Sequence, residues 1–474
     1  MRVLAIDQGT SGTKAVVVDG DDAIRAIAEV PIRPEYRAGG IVEQDPGELL
    51  ASMLSAGRQA LDASGSAVDA IALANQGESV LAWDPADGSP RSPIIVWQDG
   101  RAQEVCDPLR EHVDLVRERT GLVLDPYFSA PKLAWLRCNG WTDGVVTTTD
   151  AWLLHHLTGE FVTDAATASR SLVTGLDDVT YDPELLTLFG LADERMPRII
   201  ANDAIVGDTT AFGARTPVAG VVVDQQAALI AEDCLDAGSA KCTFGTGAFL
   251  LANNGASAAR SAHGLTVSVA WRVRGATHYC SDGQVFTVAS AIRWLQDVGI
   301  VRDARELDEL ATDDAHGVLC IPALAGLAAP WWRPDATASL RGMTLATTRS
   351  DLVTAVLQGI AVQVAMLVDL IGRDSGTPLT SLRVDGGLTR STRFMQAVAD
   401  LAQVPVTVYP TPHATPLGAV ALARMALDPA SSLPDAIVRW QPERTILPQW
   451  SADRAGDFRA RWDAEARHAI GEAS

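Results

Sequence analysis

The chain has 474 residues, 47% of them hydrophobic and 20% charged, with a formal net charge of −21 at neutral pH. That composition supports sizeable packed cores in two or three domains and excludes a disordered chain. The acidity argues against nucleic acid or an anionic membrane as partner, but leaves room for an anionic ligand at a locally positive site.

The first predicted element is a hairpin over Leu4 to Asp19. An apolar strand ends in Asp7, a turn holds Gly9, Thr10, Ser11, Gly12 and Thr13, and a β-branched strand leads back. Glycines permit unusual backbone angles and close approach of a ligand, and the N–H groups and hydroxyls of such a turn can cradle phosphate oxygens. Asp7 could hold Mg²⁺ directly or through water, and Lys14 brings positive charge to the same place. The turn leads into a strand rather than a helix, so it is neither a Walker P-loop nor a dinucleotide fingerprint. A plain hairpin with a polar turn fits the same residues.

Short apolar strands follow at Ala70–Ala74 and Ile94–Trp97, and Asp150–Leu157 has helical spacing. Val218–Val223 is an apolar strand that stops at Asp224, ahead of Gln225-Gln226 and an apolar helix from Ala227 to Leu235. A helix N-terminus favours the ionised form of a carboxylate, and facing a cleft such a group can accept a proton from a substrate hydroxyl. An ordinary N-cap aspartate fits as well. Lys241 to Asn253 forms a second hairpin whose Gly245-Thr246 repeats Gly9-Thr10 about half a chain later, which points to two related domains. Beyond it lie a long helix from Leu352 to Ile371, a strand at Leu382–Val384 that stops at Asp385-Gly386-Gly387, a helix at Phe394–Leu401, a strand at Val404–Tyr409 and a small-residue helix at Pro416–Leu427. This alternation favours α/β domains.

Three loops after strands carry polar and aromatic groups together: Asn75-Gln76-Gly77-Glu78, Trp97-Gln98-Asp99 and Asp125-Pro126-Tyr127-Phe128. Amides, carboxylates and aromatic walls suit a polyhydroxylated small molecule. Each alone also reads as a turn. The six cysteines lack Cys-x-x-Cys spacing and the eight histidines show no metal-ligand pattern. No apolar run approaches the roughly 20 residues of a membrane span, and the start shows no targeting segment, so a cytoplasmic protein with reduced thiols is expected.

Taken in order, these motifs resemble the FGGY family of carbohydrate kinases, and within it most closely its glycerol kinase branch. The resemblance runs from Leu4 to about Met425 and includes Thr163-Asp164-x-x-x-Ala168-Ser169-Arg170, Asp224-Gln225-Gln226, and Phe286 with Ser290-Ala291-Ile292-x-Trp294-Leu295. It implies an α/β fold of two actin-like (ribonuclease H-like) domains around a central ATP and substrate cleft, here residues 1–233 and 234–474. It implies ATP and Mg²⁺ as cofactors, with a small polyol or sugar as the other partner. Asp7 and Asp224 would lie at the metal, and Gly9, Thr10, Ser11, Lys14, Gly245 and Thr246 at the phosphates. Gly386 and Gly387 would lie beside adenosine. Asp224 would be the general base. Gln76, Gly77, Glu78, Trp97, Tyr127, Gln225 and Phe286 would join it around the substrate.

Lys14 stands where glycerol kinases usually carry arginine, and two further departures matter for the pocket. Gly77 replaces an arginine that bonds two substrate hydroxyls, and Val223 replaces a glycine. The first suggests room for a polyol longer than glycerol. A ketose kinase of the same family, a non-kinase actin-like ATPase and a catalytically silent sugar-binding regulator are the rival readings. The residues Gly213 to Pro217 match a sugar-bisphosphate regulatory loop only in part. Substrate stereochemistry and assembly, as dimer or tetramer, stay open.

Overall fold

The computed structural model describes residues 1–471. Two sheets of one plan organise them. In the first, Val3–Gln8 pairs antiparallel with Gly12–Val18, which pairs antiparallel with Ile24–Pro31. On its other side Val3–Gln8 runs parallel to Ala70–Asn75, itself parallel to Thr216–Val223, and Ile205–Thr209 closes that edge. In the second sheet Ala240–Phe244 takes the central place. It pairs antiparallel with Ala248–Gly255, which pairs antiparallel with Ala276–Val285. Its other neighbour is the parallel strand Leu382–Asp385, followed by Val406–Val408. Three antiparallel strands joined to two parallel ones, repeated, make the two actin-like domains.

The central strands are apolar on both faces because helices cover both. Successive side chains alternate between the faces: Leu4, Ile6, Ala15 and Val17 join Leu49, Met53, Ala56 and Ala60 of helix Pro46–Ser64 in one core. Val3, Ala5, Val16 and Val18 join a second core with Ala227, Leu417 and Val420. That second core contains the helix Ala414–Leu427, which falls in the second half of the sequence but packs on the strands Val3–Gln8, Ala70–Asn75 and Thr216–Val223. A boundary at residue 233 therefore does not separate all of the packing. The crossing with helix Asp224–Ala231 needs a glycine: a Cβ on Gly418 would stand 1.8 Å from the carbonyl oxygen of Ala227.

The long helix spans Arg349–Ser375, longer at both ends than its apolar repeat. Thr348 and Asp351 cap its start reciprocally, and Gly376, at φ 69°, ends it in the left-handed region. It is long and apolar enough to cross a membrane, but Val353, Val356, Leu357, Ile360 and Val364 are buried in the core of the second domain. The helix after Val223 starts at Asp224 itself and ends at Ala231, short of Leu235, because the chain reverses through Asp233 at φ 59°.

Candidate active site

The end of the strand Thr216–Val223 delivers Asp224 as the first residue of a helix, with Val223 in the cap position. Asp224 is thus not the cap. Its Oδ1 accepts only the N–H of Gln225, at 2.7 Å. Its carboxyl looks into a cavity of about 250 Å³ lined from both domains: Thr10, Ser11, Gly77, Glu78, Trp97, Tyr127, Arg170, Val223, Gln225 from the first, and Thr246, Gly247, Phe249 from the second.

Aromatic rings form one wall. Trp97 meets Tyr127 edge-on at 5.7 Å and Phe249 edge-on at 5.8 Å between centroids. Phe286, expected in this wall, lines a larger adjoining chamber of about 980 Å³ that shares Trp97, Tyr127 and Phe249 with the inner cavity. Phe249 is the ring the sequence reading passed over. It lies on the strand that leaves the Gly245-Thr246-Gly247 turn, so the turn itself aims it at Trp97.

Polar contacts fix the opposite side of the chemistry. Glu78 is a non-glycine residue at φ 58°, an uncommon conformation that a site must hold against strain. Its buried carboxylate receives the Nε–H of Arg170, whose Nη1 donates to Asp282 at 2.9 Å and Nη2 to the Tyr127 hydroxyl at 3.2 Å. One guanidinium therefore ties the Glu78 loop, the Tyr127 loop and a strand of the second domain together. Buried Lys132 holds the Tyr127 loop from behind. Its Nζ donates to the carbonyls of Pro126, Tyr127 and Phe128 at 2.6–2.7 Å, and burial pulls its pKa down to about 8.

Gln76 does not reach the cavity. It is buried, accepts the Thr10 hydroxyl at 3.0 Å and donates to Gln44 at 2.9 Å. The Trp97 indole N–H donates to the same Thr10 Oγ1 at 2.9 Å. Thr10 therefore links the aromatic wall to the first glycine turn. Gln225 is engaged by Lys241, whose buried Nζ donates to its Oε1 at 2.6 Å and to Thr243 at 2.7 Å.

The remaining expected residues lie beyond the inner cavity, where strand ends converge. Strand register sets Asp7 opposite Lys14. The Gly9 N–H donates to the Gly12 carbonyl at 3.0 Å, and the Gly245 N–H to that of Gly247 at 2.9 Å, so the two turns close alike. Gly386 follows the strand beside Ala240–Phe244. At φ 97° it sits where a Cβ would stand 2.4 Å from the Phe244 carbonyl oxygen, and Gly387 after it is exposed.

Carboxylates crowd the point between the turns. Burial, then Asp224, push the Asp7 pKa up to about 7, against the pull of Lys14. Burial, then Glu78, push Asp224 up to about 6, against Lys241, the Gln225 N–H and Arg170. Asp385 is also raised by burial, and its Oδ1 has no partner. Acidic groups facing one another with an orphaned oxygen suit a divalent cation. Among the described residues no group of three or more His, Cys, Asp or Glu side chains is placed to hold a metal ion by itself. Mg²⁺ commonly keeps waters and binds one or two carboxylates plus substrate phosphates.

Models of the FGGY carbohydrate kinase family match the chain twice, the N-terminal domain over residues 2–231 and the C-terminal domain over 240–427. The chain belongs to the FGGY family of carbohydrate kinases. This FGGY protein is an ATP-dependent phosphotransferase. It is 38% identical to a glycerol kinase of Aromatoleum aromaticum over 99% of both chains. It is 40% identical to one of Bordetella parapertussis, over 97% of this chain and 95% of that one. A crystal structure of Plasmodium falciparum glycerol kinase with ADP superposes at a TM-score of 0.92, with 28% identity, covering 99% of this chain and 98% of that one.

Proposed function

We propose that this kinase transfers the γ-phosphoryl group of ATP to a primary hydroxyl of a small polyol, of glycerol type or up to five carbons long. One observation carries the reading. Asp224 sits where a cavity of polyol character, with Glu78, Arg170 and Gln225 beside the rings of Trp97, Tyr127 and Phe249, meets the two glycine turns of the separate domains. The relatives named as glycerol kinases support the polyol over a ketose.

Phosphoryl transfer is mostly positioning and charge stabilisation. The rings take the C–H faces of the polyol and the polar side chains take its hydroxyls. Asp224 then orients the attacking hydroxyl and accepts its proton. A pKa near 6 leaves it ionised at neutral pH yet basic enough to act. The backbone N–H groups of Thr10, Ser11 and Thr246, in turns closed by the Gly9 and Gly245 N–H groups, and the Lys14 ammonium receive the phosphates. Asp7, with Asp224, would hold Mg²⁺, which supplies neutralisation of phosphate charge when bound. Gly386 and Gly387 leave a flat surface for adenosine. Both domains supply cavity walls, so their approach excludes water from the transfer.

ADP release measured across polyols and ketoses of three to five carbons tests this. Turnover with a polyol is expected. Preference for a ketose over every polyol, or ATP turnover indifferent to both, overturns it.

A further inference from the structure

The two departures from the glycerol kinase pattern touch. Gly77 has an ordinary φ, so its backbone does not demand glycine. A Cβ built there meets one atom beyond its chain neighbours within 4 Å, the Cγ2 of Val223 at 2.9 Å. That methyl cannot readily yield. Val223 is 2% exposed, packs among Val222, Ala227 and Ala228, and as a β-branched residue is stiff at χ1. Both residues line the inner cavity. Neither side chain offers a donor, and the Gly77 carbonyl is already taken by the Ser79 N–H at 2.7 Å.

Resting on the polyol kinase reading, we propose that Val223 sets the substrate preference of this pocket. By filling the space over Gly77 it keeps side chains off that position and holds the wall free of hydrogen-bonding side chains. The site then accepts polyols with a C–H or methyl group on that side about as readily as fully hydroxylated ones. The physical reason is the asymmetry of polar recognition. A site with a buried group built to bond a hydroxyl rejects the analogue lacking it strongly, because that group is left unpaired. An apolar wall leaves nothing unpaired when the hydroxyl is missing. Longer polyols gain no bond from this wall. Their fit depends on the side lined by Glu78, Arg170 and Gln225.

The lock also means that an arginine at position 77 is not accommodated by its partner. Introducing G77R alone meets the Val223 methyl before its guanidinium can be placed. The same change in a V223A chain has that methyl removed.

Two measurements test the proposal. In the first, G77A is made in the native and V223A chains and thermal unfolding is followed. G77A is expected to lower Tm by about 2–4 °C in the native chain and by much less beside V223A. Additive effects would overturn the lock, whatever the kinetics show. In the second, kcat/KM for glycerol is compared with that for 1,2-propanediol and 1,3-propanediol. The native enzyme is expected to separate glycerol from the better diol by less than about tenfold, and G77R/V223A to raise that ratio at least tenfold. A native ratio of a thousand or more, or one that the double variant leaves unchanged, overturns the assignment of preference to Val223. Coupled Tm values without turnover on any polyol would overturn the polyol kinase reading and leave the steric lock standing.

Discussion

Replacing Asp224 with asparagine separates what this carboxylate does for catalysis from what it costs the fold. The amide keeps the size of the side chain and an oxygen for the Gln225 N–H, and removes the charge. The catalytic expectation is a fall in kcat on the order of 10²–10⁴, the range for a lost general base. The stability expectation has the opposite sign. Burial and Glu78 raise the folded pKa from 3.8 to about 6. Below pH 4 the group is protonated in both folded and unfolded chains, and asparagine changes little. Between pH 4 and 6 the unfolded chain gives up its proton first, so the native protein loses stability as pH rises. Above pH 6 the ionised side chain costs the fold about 3 kcal/mol, at 1.36 kcal/mol for each tenfold change in proton affinity. D224N lacks this cost. Its Tm at pH 7 should exceed that of the native chain by on the order of 5 °C for domains of this size, and the two should converge at pH 4. Differential scanning calorimetry at the two pH values reads this directly. A D224N protein that is no more stable at pH 7, or whose gain is the same at pH 4, refutes the desolvated, charge-crowded placement of the carboxylate. Turnover within tenfold of native refutes its role as base.

Three further outcomes follow from single contacts. R170L strands Glu78 and Asp282 as buried unpaired charges and should cost about 3–5 kcal/mol in urea unfolding; R170K, with a point charge in place of the fork, should recover only part. T10V orphans the Trp97 indole N–H and the Gln76 carbonyl oxygen together and should lower kcat/KM for the polyol about tenfold or more, read by ADP release at saturating ATP. G418A places a methyl within 1.8 Å of the Ala227 carbonyl and should lower Tm by several degrees or abolish soluble protein, whereas G387A, with open space around it, should leave Tm unchanged.

What could be read from the sequence was local. Gly9, Gly245 and Gly386 stand at tight turns after apolar strands, and a glycine directly after an apolar run announces the turn; at Gly386, with φ 97°, the backbone angle itself favours glycine. Asp224 was legible for a similar reason, at a strand end ahead of a helix. The side chains that organise the pocket were not. Arg170, Lys132 and Lys241 are buried cations, and burial of a charge leaves no periodic trace in the chain. Arg170 acts on Glu78 from 92 positions away and on Asp282 from 112, and only its place in the Ala168-Ser169-Arg170 motif hinted at it. Phe249 had a usable signal, since alternation along the strand after Gly247 points every second side chain the same way. Gln76 shows the reverse case. It looked like a ligand-facing amide on a polar loop, but the Thr10 hydroxyl and Gln44 hold it inside.

The network around Thr10 connects the aromatic wall of the cavity to the first glycine turn. Its hydroxyl accepts from Trp97 and donates to Gln76, while its backbone carbonyl accepts from Gln44 at 2.6 Å. Trp97 is a wall of the inner cavity, and Thr10 belongs to the turn proposed to receive the phosphates. On the proposed function, a polyol that shifts the indole plane would act on that turn through the Thr10 hydroxyl. Arg170 makes the matching connection on the other flank, since one guanidinium bridges Glu78 of the first domain and Asp282 of the second. On the same reading, a substrate hydroxyl that bonds Glu78 would compete for the carboxylate that Arg170 holds, a contact that spans the domains. The Thr10 contact would then tie phosphate positioning to polyol occupancy, and the Arg170 contact would tie the two domains to it. Such an arrangement would favour transfer to the polyol over transfer to water, which lacks the C–H faces to press on Trp97 and the second hydroxyl to engage Glu78.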